Sequence, residues 1–155
     1  MVRAWMAAWE MECCGTPFRV GDTVTWPLLD LDTEGLAFVQ ERLGEDAGAP
    51  ITHSTIFHGK RVVDIPKTSG VVTGIHALYN RFERTFAREI RPVPHSGRLV
   101  WLHDSDAHDD ITADDDEGFT AYVVDLDVQE QKRNEEVRRS SWRLELRILL
   151  DPNWR

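Results

Sequence analysis

Apolar and polar residues alternate from the start of the chain. Trp5, Ala7, Trp9, Met11 and Cys13 fall on one face, and Ala4, Met6, Ala8, Glu10 and Glu12 on the other. That period of two predicts a strand with at least one buried face. Gly15-Thr16-Pro17 follows as a turn signal. In Phe18–Trp26, Val20, Val24 and Trp26 share a face; Gly21-Asp22 places a turn or bulge before the strand proper, and Pro27 limits its continuation. Thr33–Leu43 is the one convincing helix. Asp32 or Thr33 can cap it, Leu36, Val39 and Leu43 form its apolar face, and Gly44 stops it. The glycines and proline of 44–54 read as a loop.

Thr55–Ile65 is ambiguous, with Ile56-Phe57 and Val62-Val63 as two short strand candidates around His58-Gly59-Lys60. Val71–Phe82 is a clear strand, in which Gly74 predicts a bulge or sharp bend. Arg84–Arg91 fits either more strand or a helical turn. Leu99–Leu102 is a short buried strand, and Phe119–Val128 is another, with Tyr122, Val124, Leu126 and Val128 facing the core. Trp142, Leu144, Leu146 and Ile148 alternate with Arg143, Glu145 and Arg147 as a last strand. Six strands, one short helix and no β-α-β alternation predict a mainly β fold. The expected form is a small, partly closed antiparallel barrel of the OB or SH3-like kind, as one domain over residues 1–155.

A chain of 155 residues buries roughly 70% of its unfolded surface and needs no staple to fold. The apolar runs are far below the ~18 residues of a membrane span, and Met1–Cys14 lacks the pattern of a secretory signal. Two cysteines without an export signal point to a reducing cytoplasm. Net charge is −9, and eight of the carboxylates lie between Asp104 and Glu117. The rest of the chain is therefore nearly neutral, carrying one acidic segment and one basic tract, Lys60–Arg98.

Trp9-Glu10-Met11-Glu12-Cys13-Cys14-Gly15-Thr16-Pro17-Phe18, then Val20-Gly21-Asp22-Thr23-Val24-Thr25-Trp26, resembles the opening of an uncharacterised family of small actinobacterial proteins. Thr55–Gly59 and Gly70–Ile75 follow in the same order. The resemblance is most specific at Cys13-Cys14-Gly15. It implies a bacterial cytoplasmic protein of unknown function and carries no site across. The family's more usual His-His-Gly stands here as Phe57-His58-Gly59, which counts against an adjacent histidine pair as an essential metal site.

The signatures of common hydrolases, nucleotide binders and zinc proteases are absent, so the reading leans away from an enzyme. Cys13-Cys14 is a candidate thiol pair for a soft metal or for oxidation. On a strand, however, neighbours point to opposite faces, and a disulfide between them closes no useful loop. His103, Asp104, Asp106 and His108 are candidate ligands for a divalent cation; the run opens like an EF-hand loop and then departs from it at His108 and Asp109. A Cys14/His53/His58 zinc set and Ser/His pairings (Ser54 with His53, Ser69 with His76) need a convergence that spacing does not supply. Arg81, Arg84 and Arg88 cluster if their segment is helical; with Tyr79, Phe82 and Phe86 they form a candidate single-stranded nucleic-acid surface. The acidic segment opposes that unless it lies far away.

Three functional expectations result. The first is a non-enzymatic β-barrel binding module that recognises a protein partner, with the acidic loop as recognition element. The second is a metal- or thiol-dependent protein using Cys14, His58 or His103 with the acidic loop. The third is a nucleic-acid binder through the basic tract. No cofactor is implied beyond a divalent metal in the second.

Overall fold

One long strand organises the sheet. The computed structural model describes residues 1–44, 50–59 and 62–128. Its elements are β1 (Val2–Ala7), α1 (Ala8–Cys14), β2 (Thr23–Asp30), α2 (Thr33–Leu43), β3 (His53–Thr55), β4 (Lys67–Arg84), β5 (Ile90–Pro92), β6 (Arg98–Leu102) and β7 (Glu117–Asp127). Short 3-10 turns occupy Val62–Asp64 and Ser105–Asp110. β7 runs along one edge of β4, while β2, β6 and β5 follow in succession along the other. β2 also pairs with β3, β3 with β1, and β1 with β7, so five strands form a ring. The mainly β expectation holds. The sheet is mixed rather than wholly antiparallel, because β1 and β3 run parallel.

The alternation of β4 and β7 serves two cores. Ile75, Ala77, Tyr79, Tyr122, Val124 and Leu126 join Met6, Phe18, Trp26, Val72 and Leu102 in one cluster. Leu78, Ala121 and Val123 lie on the opposite face, in a second cluster with Trp5, Ile51 and the Val39 and Leu43 side chains of α2. Central strands with both faces covered need apolar residues at consecutive positions, which explains the run Ala121–Val124. The α2 helix follows its sequence signals: Asp32 accepts from the Gly35 N–H at 2.8 Å, and Gly44 ends it. Gly74 marks a bulge, as expected, with the β4–β7 register shifting between Val72 and Gly74. A Cβ at Gly74 would stand 2.8 Å from an Asp125 carboxylate oxygen.

Two expectations are corrected, and one open alternative is decided. The predicted first strand ends at Ala7, where its pairing with β7 ends at Ala121, and the chain turns helical as α1. Residues Ala7–Glu12 contain no β-branched side chain, and the buried Glu10 is held inside by accepting the backbone N–H groups of Phe57 and His58. Among the described residues there are thus two α-helices rather than one. Second, Pro27 does not end β2. It sits where the strand changes neighbour, from β4 (through Pro27↔Lys67) to β3 (from Leu28↔Thr55). A residue with no N–H is tolerated at such a break in the ladder. Of the two alternatives for Arg84–Arg91, the structure takes the strand: β4 runs on to Arg84 and turns back as β5, so Arg81, Arg84 and Arg88 do not share a helix. The predicted last strand, Trp142–Ile148, lies outside the described residues, as do Lys60 and Arg61.

Candidate functional site

The change from strand to helix at Ala8 decides where the cysteines go. Cys13 and Cys14 are the last two residues of α1, and both are exposed. Successive residues of a helix are about 100° apart, so the pair shares one end of the helix instead of straddling a sheet. Their sulfurs are in bonding contact as a vicinal disulfide. The chain leaves at once through Gly15, where any side chain would run into Met11.

A third group comes from the loop after β3. Nδ1 of His58 lies 3.5 Å from Sγ of Cys13 and 3.5 Å from Sγ of Cys14. The loop is held from α1. Glu10, only 3% exposed, accepts the backbone N–H groups of Phe57 at 2.7 Å and His58 at 3.0 Å through one carboxylate oxygen. Phe57 packs edge-on against Trp26, with ring centroids 5.9 Å apart, which seats the loop on the first core. Trp9, one turn before Cys13, meets the His58 ring edge-on at 6.0 Å. The sulfurs sit at the carbonyl end of α1 beside the exposed Glu12. That end carries partial negative charge, so the local field favours a cation.

Among the described residues, Cys13, Cys14 and His58 are the one set of three His, Cys or acidic side chains whose ligand atoms all lie within 4.8 Å of one another. The other predicted ligands do not converge. Asp104 caps the 3-10 turn, accepting from the N–H groups of Asp106 and Ala107 at 3.0 Å each. His103 contacts Asp104 at 3.3 Å from an exposed position, and Asp106 is also exposed. His108 is used inward. Its ring stacks on Phe119 with centroids 4.5 Å apart, and its Nδ1 lies 2.7 Å from the Ser105 carbonyl. Tyr122 donates to that carbonyl at 2.9 Å. Burial, with Asp106 and Asp109 nearby, raises the Tyr122 phenol above its ordinary pKa. Ser105–Asp110 is a 3-10 turn capped by Asp104, and its predicted ligand atoms do not lie together.

His53 is also elsewhere, 2.9 Å from Asp30 and 2.7 Å from the Thr52 hydroxyl. Ser69 bonds to Thr25 at 2.8 Å, and His76 Nδ1 has no partner among the described residues, so no Ser/His pairing forms there. Arg81 and Arg84 are exposed on β4, and Arg88 sits in the hairpin turn with φ 61°. The acidic turn lies directly beside them, because the Phe82 N–H donates to the Asp116 carbonyl at 2.8 Å. Carboxylates at the base of this arginine hairpin oppose a phosphate backbone.

Sequence reasoning missed Glu10 and separated the two cysteines. A signal was present: Ala-Ala-Trp-Glu-Met-Glu is rich in helix formers and is followed by Gly15 and Pro17.

Fold and site together define a small mainly β protein with a five-strand ring, a covering helix and an exposed Cys-Cys-His cluster. The chain belongs to a family of unknown function, DUF6578, whose profile matches residues 1–128 and so includes Cys13, Cys14 and His58. No curated protein and no solved structure matches it. Among the described residues, no helix is long and apolar enough to cross a membrane.

Proposed function

We propose that this protein binds a soft or borderline transition-metal ion, of the zinc or copper(I) class, at Cys13, Cys14 and His58. One observation carries the reading: His58 Nδ1 stands 3.5 Å from both sulfurs. A tetrahedral ion with metal–sulfur bonds near 2.3 Å and metal–nitrogen bonds near 2.0–2.1 Å has a sulfur–nitrogen edge of about 3.5 Å. The receiving form is the reduced pair, whose sulfurs are free to separate to the matching edge of about 3.8 Å. A divalent ion forms two metal–thiolate bonds and releases two thiol protons, so affinity falls as pH is lowered. Three donors leave one position for water or an exchanging ligand. Glu10 orients the imidazole through the backbone, in the way outer groups commonly hold metal ligands.

The test is metal titration of the reduced full chain. Cobalt(II) substitution reports thiolate ligation by its charge-transfer band, and mass spectrometry gives the stoichiometry. One ion per chain is expected, with binding lost in Cys13→Ser/Cys14→Ser and weakened in His58→Ala by more than the roughly 10–100-fold that losing a group which only orients a ligand costs. Equal binding by the double serine variant, or none by the reduced wild type, overturns the reading.

A second reading, a module that recognises a protein partner, is favoured by the β4–β5 hairpin. Phe86 is fully exposed at its tip, and Ile90 is exposed beside it. Large apolar groups held in water on a protruding element suit a docking contact. Phe86→Ser and Ile90→Ser then weaken capture of a partner without lowering the melting temperature. Retained capture by both variants removes the hairpin from the reading, and reversing the charges of Asp114, Asp115 and Asp116 tests the acidic turn in the same assay.

A further inference from the structure

We infer that the groove between α1 and α2 binds a small aromatic carboxylate. The groove has a volume of about 260 Å³ and is lined by Trp5, Ala7, Trp9, Phe38, Arg42 and Thr120. Its walls are aromatic. Trp5 and Phe38 meet edge-on with centroids 5.6 Å apart, and Trp9 and Phe38 keep 56% and 44% of their surface exposed. Aromatic faces held open to water in a concave site are available for a ring to stack on.

The single charged group in the lining is Arg42. Its guanidinium carbon lies 4.7 Å from the centre of the Phe38 ring. Arg3, Arg91 and Arg98 each hold a carboxylate, from Asp125, Glu83 and Glu117 respectively. Among the described residues Arg42 forms no such pair. Burial is the dominant influence on it and lowers its pKa; the neighbouring Glu41 opposes this only in part. The guanidinium is therefore partly stripped of water with no partner for its hydrogen-bonding fork among the described residues, which is the condition that a bound carboxylate relieves.

The Arg42 carbonyl is held by two hydrogen bonds. Asn80, fully buried, donates to the Arg42 carbonyl at 2.9 Å, and the Gly97 N–H donates to the same oxygen at 3.0 Å. Thr120, at the groove wall, donates to Asn80 Oδ1 at 2.7 Å. Such anchoring lowers the ordering cost of binding. The chemistry also selects the ligand. An aromatic cage alone suits a quaternary ammonium, but Arg42 repels one. One arginine matches a planar, singly charged carboxylate better than a multiply charged phosphate. The volume suits a one- or two-ring molecule.

The test compares phenylacetate with its neutral isostere phenylacetamide, read from the indole N–H signals of the reduced full chain by NMR. Both probes fill the aromatic walls, and only one fills the fork. Saturable shifts of the Trp5 and Trp9 signals are expected, with phenylacetate bound about tenfold more tightly, the size of one charge-assisted pair at a half-exposed site. Arg42→Gln abolishes the preference, and Arg42→Lys keeps part of it. Equal affinities for the two probes in wild type, or no saturable shift with phenylacetate, overturn the inference without using any variant. Repeating the titration on Cys13→Ser/Cys14→Ser separates this groove from the metal reading, because the preference persists there.

Discussion

Removing the Glu10 carboxylate tests both the fold around the thiol pair and the orientation of His58. The side chain is buried, and one oxygen accepts two backbone N–H groups, from Phe57 at 2.7 Å and His58 at 3.0 Å. Hydrogen bonds to a charged acceptor contribute about 1.5–3 kcal/mol each. The two share one oxygen, so they do not add in full. Glu10→Ala also leaves both N–H groups without an acceptor. The expected loss is about 2–4 kcal/mol, and a chain of this size melts about 5–15 °C lower. Glu10→Gln keeps a carbonyl in place and loses only the charge, so roughly half that loss is expected. Differential scanning calorimetry of the three reduced proteins gives the stability series. Cobalt titration gives the metal series, with a fall of about 10–100-fold for Glu10→Ala. If Glu10→Ala melts with the wild type and binds cobalt as tightly, the loop stands without the carboxylate and the positioning argument is wrong. A stability loss with unchanged affinity would confine Glu10 to the fold.

Two further outcomes follow from the sheet and the acidic turn. Gly74→Ala places a methyl against Asp125, whose carboxylate holds Arg3 through contacts of 2.7 and 3.0 Å. We expect a loss of about 1–2 kcal/mol in urea unfolding, smaller in an Arg3→Ala background, and full additivity of the two changes would refute that coupling. Tyr122 is buried, and its pKa is raised. Above about pH 10 the unfolded chain sheds that phenolic proton while the folded chain keeps it, so stability falls as pH rises. Tyr122→Phe loses about 1 kcal/mol at neutral pH, for the bond to Ser105, and shows a shallower alkaline decline. Tyr79, also raised, leaves a residual slope. An unchanged slope in Tyr122→Phe removes this account of the alkaline limit.

Most of the described sheet and the α2 helix are legible in local patterns of residues. The alternation at Val71–Phe82 and Phe119–Val128, the breaks at Gly15-Thr16-Pro17 and Gly21-Asp22, and the capped helix Thr33–Leu43 are local signals, and local physics decides them. The bulge at Gly74 was legible for the same reason. Period two also fits Trp5–Cys13, yet the segment divides at Ala8. What separates the two outcomes is the end of the β7 ladder at Ala121 and the Phe57 and His58 N–H groups that donate to Glu10, both made by distant parts of the chain. His58 meets the cysteines across 44 residues of sequence, so no spacing rule could place it there. His103, Asp104, Asp106 and His108 show the converse. Adjacent in sequence and rich in donors, they do not converge: Asp104 caps a turn, His108 stacks inward on Phe119 beside the Ser105 carbonyl, and His103 and Asp106 stay exposed. Only the tertiary structure decides which donors converge, because convergence depends on backbone direction and burial, and neighbours along a chain share neither.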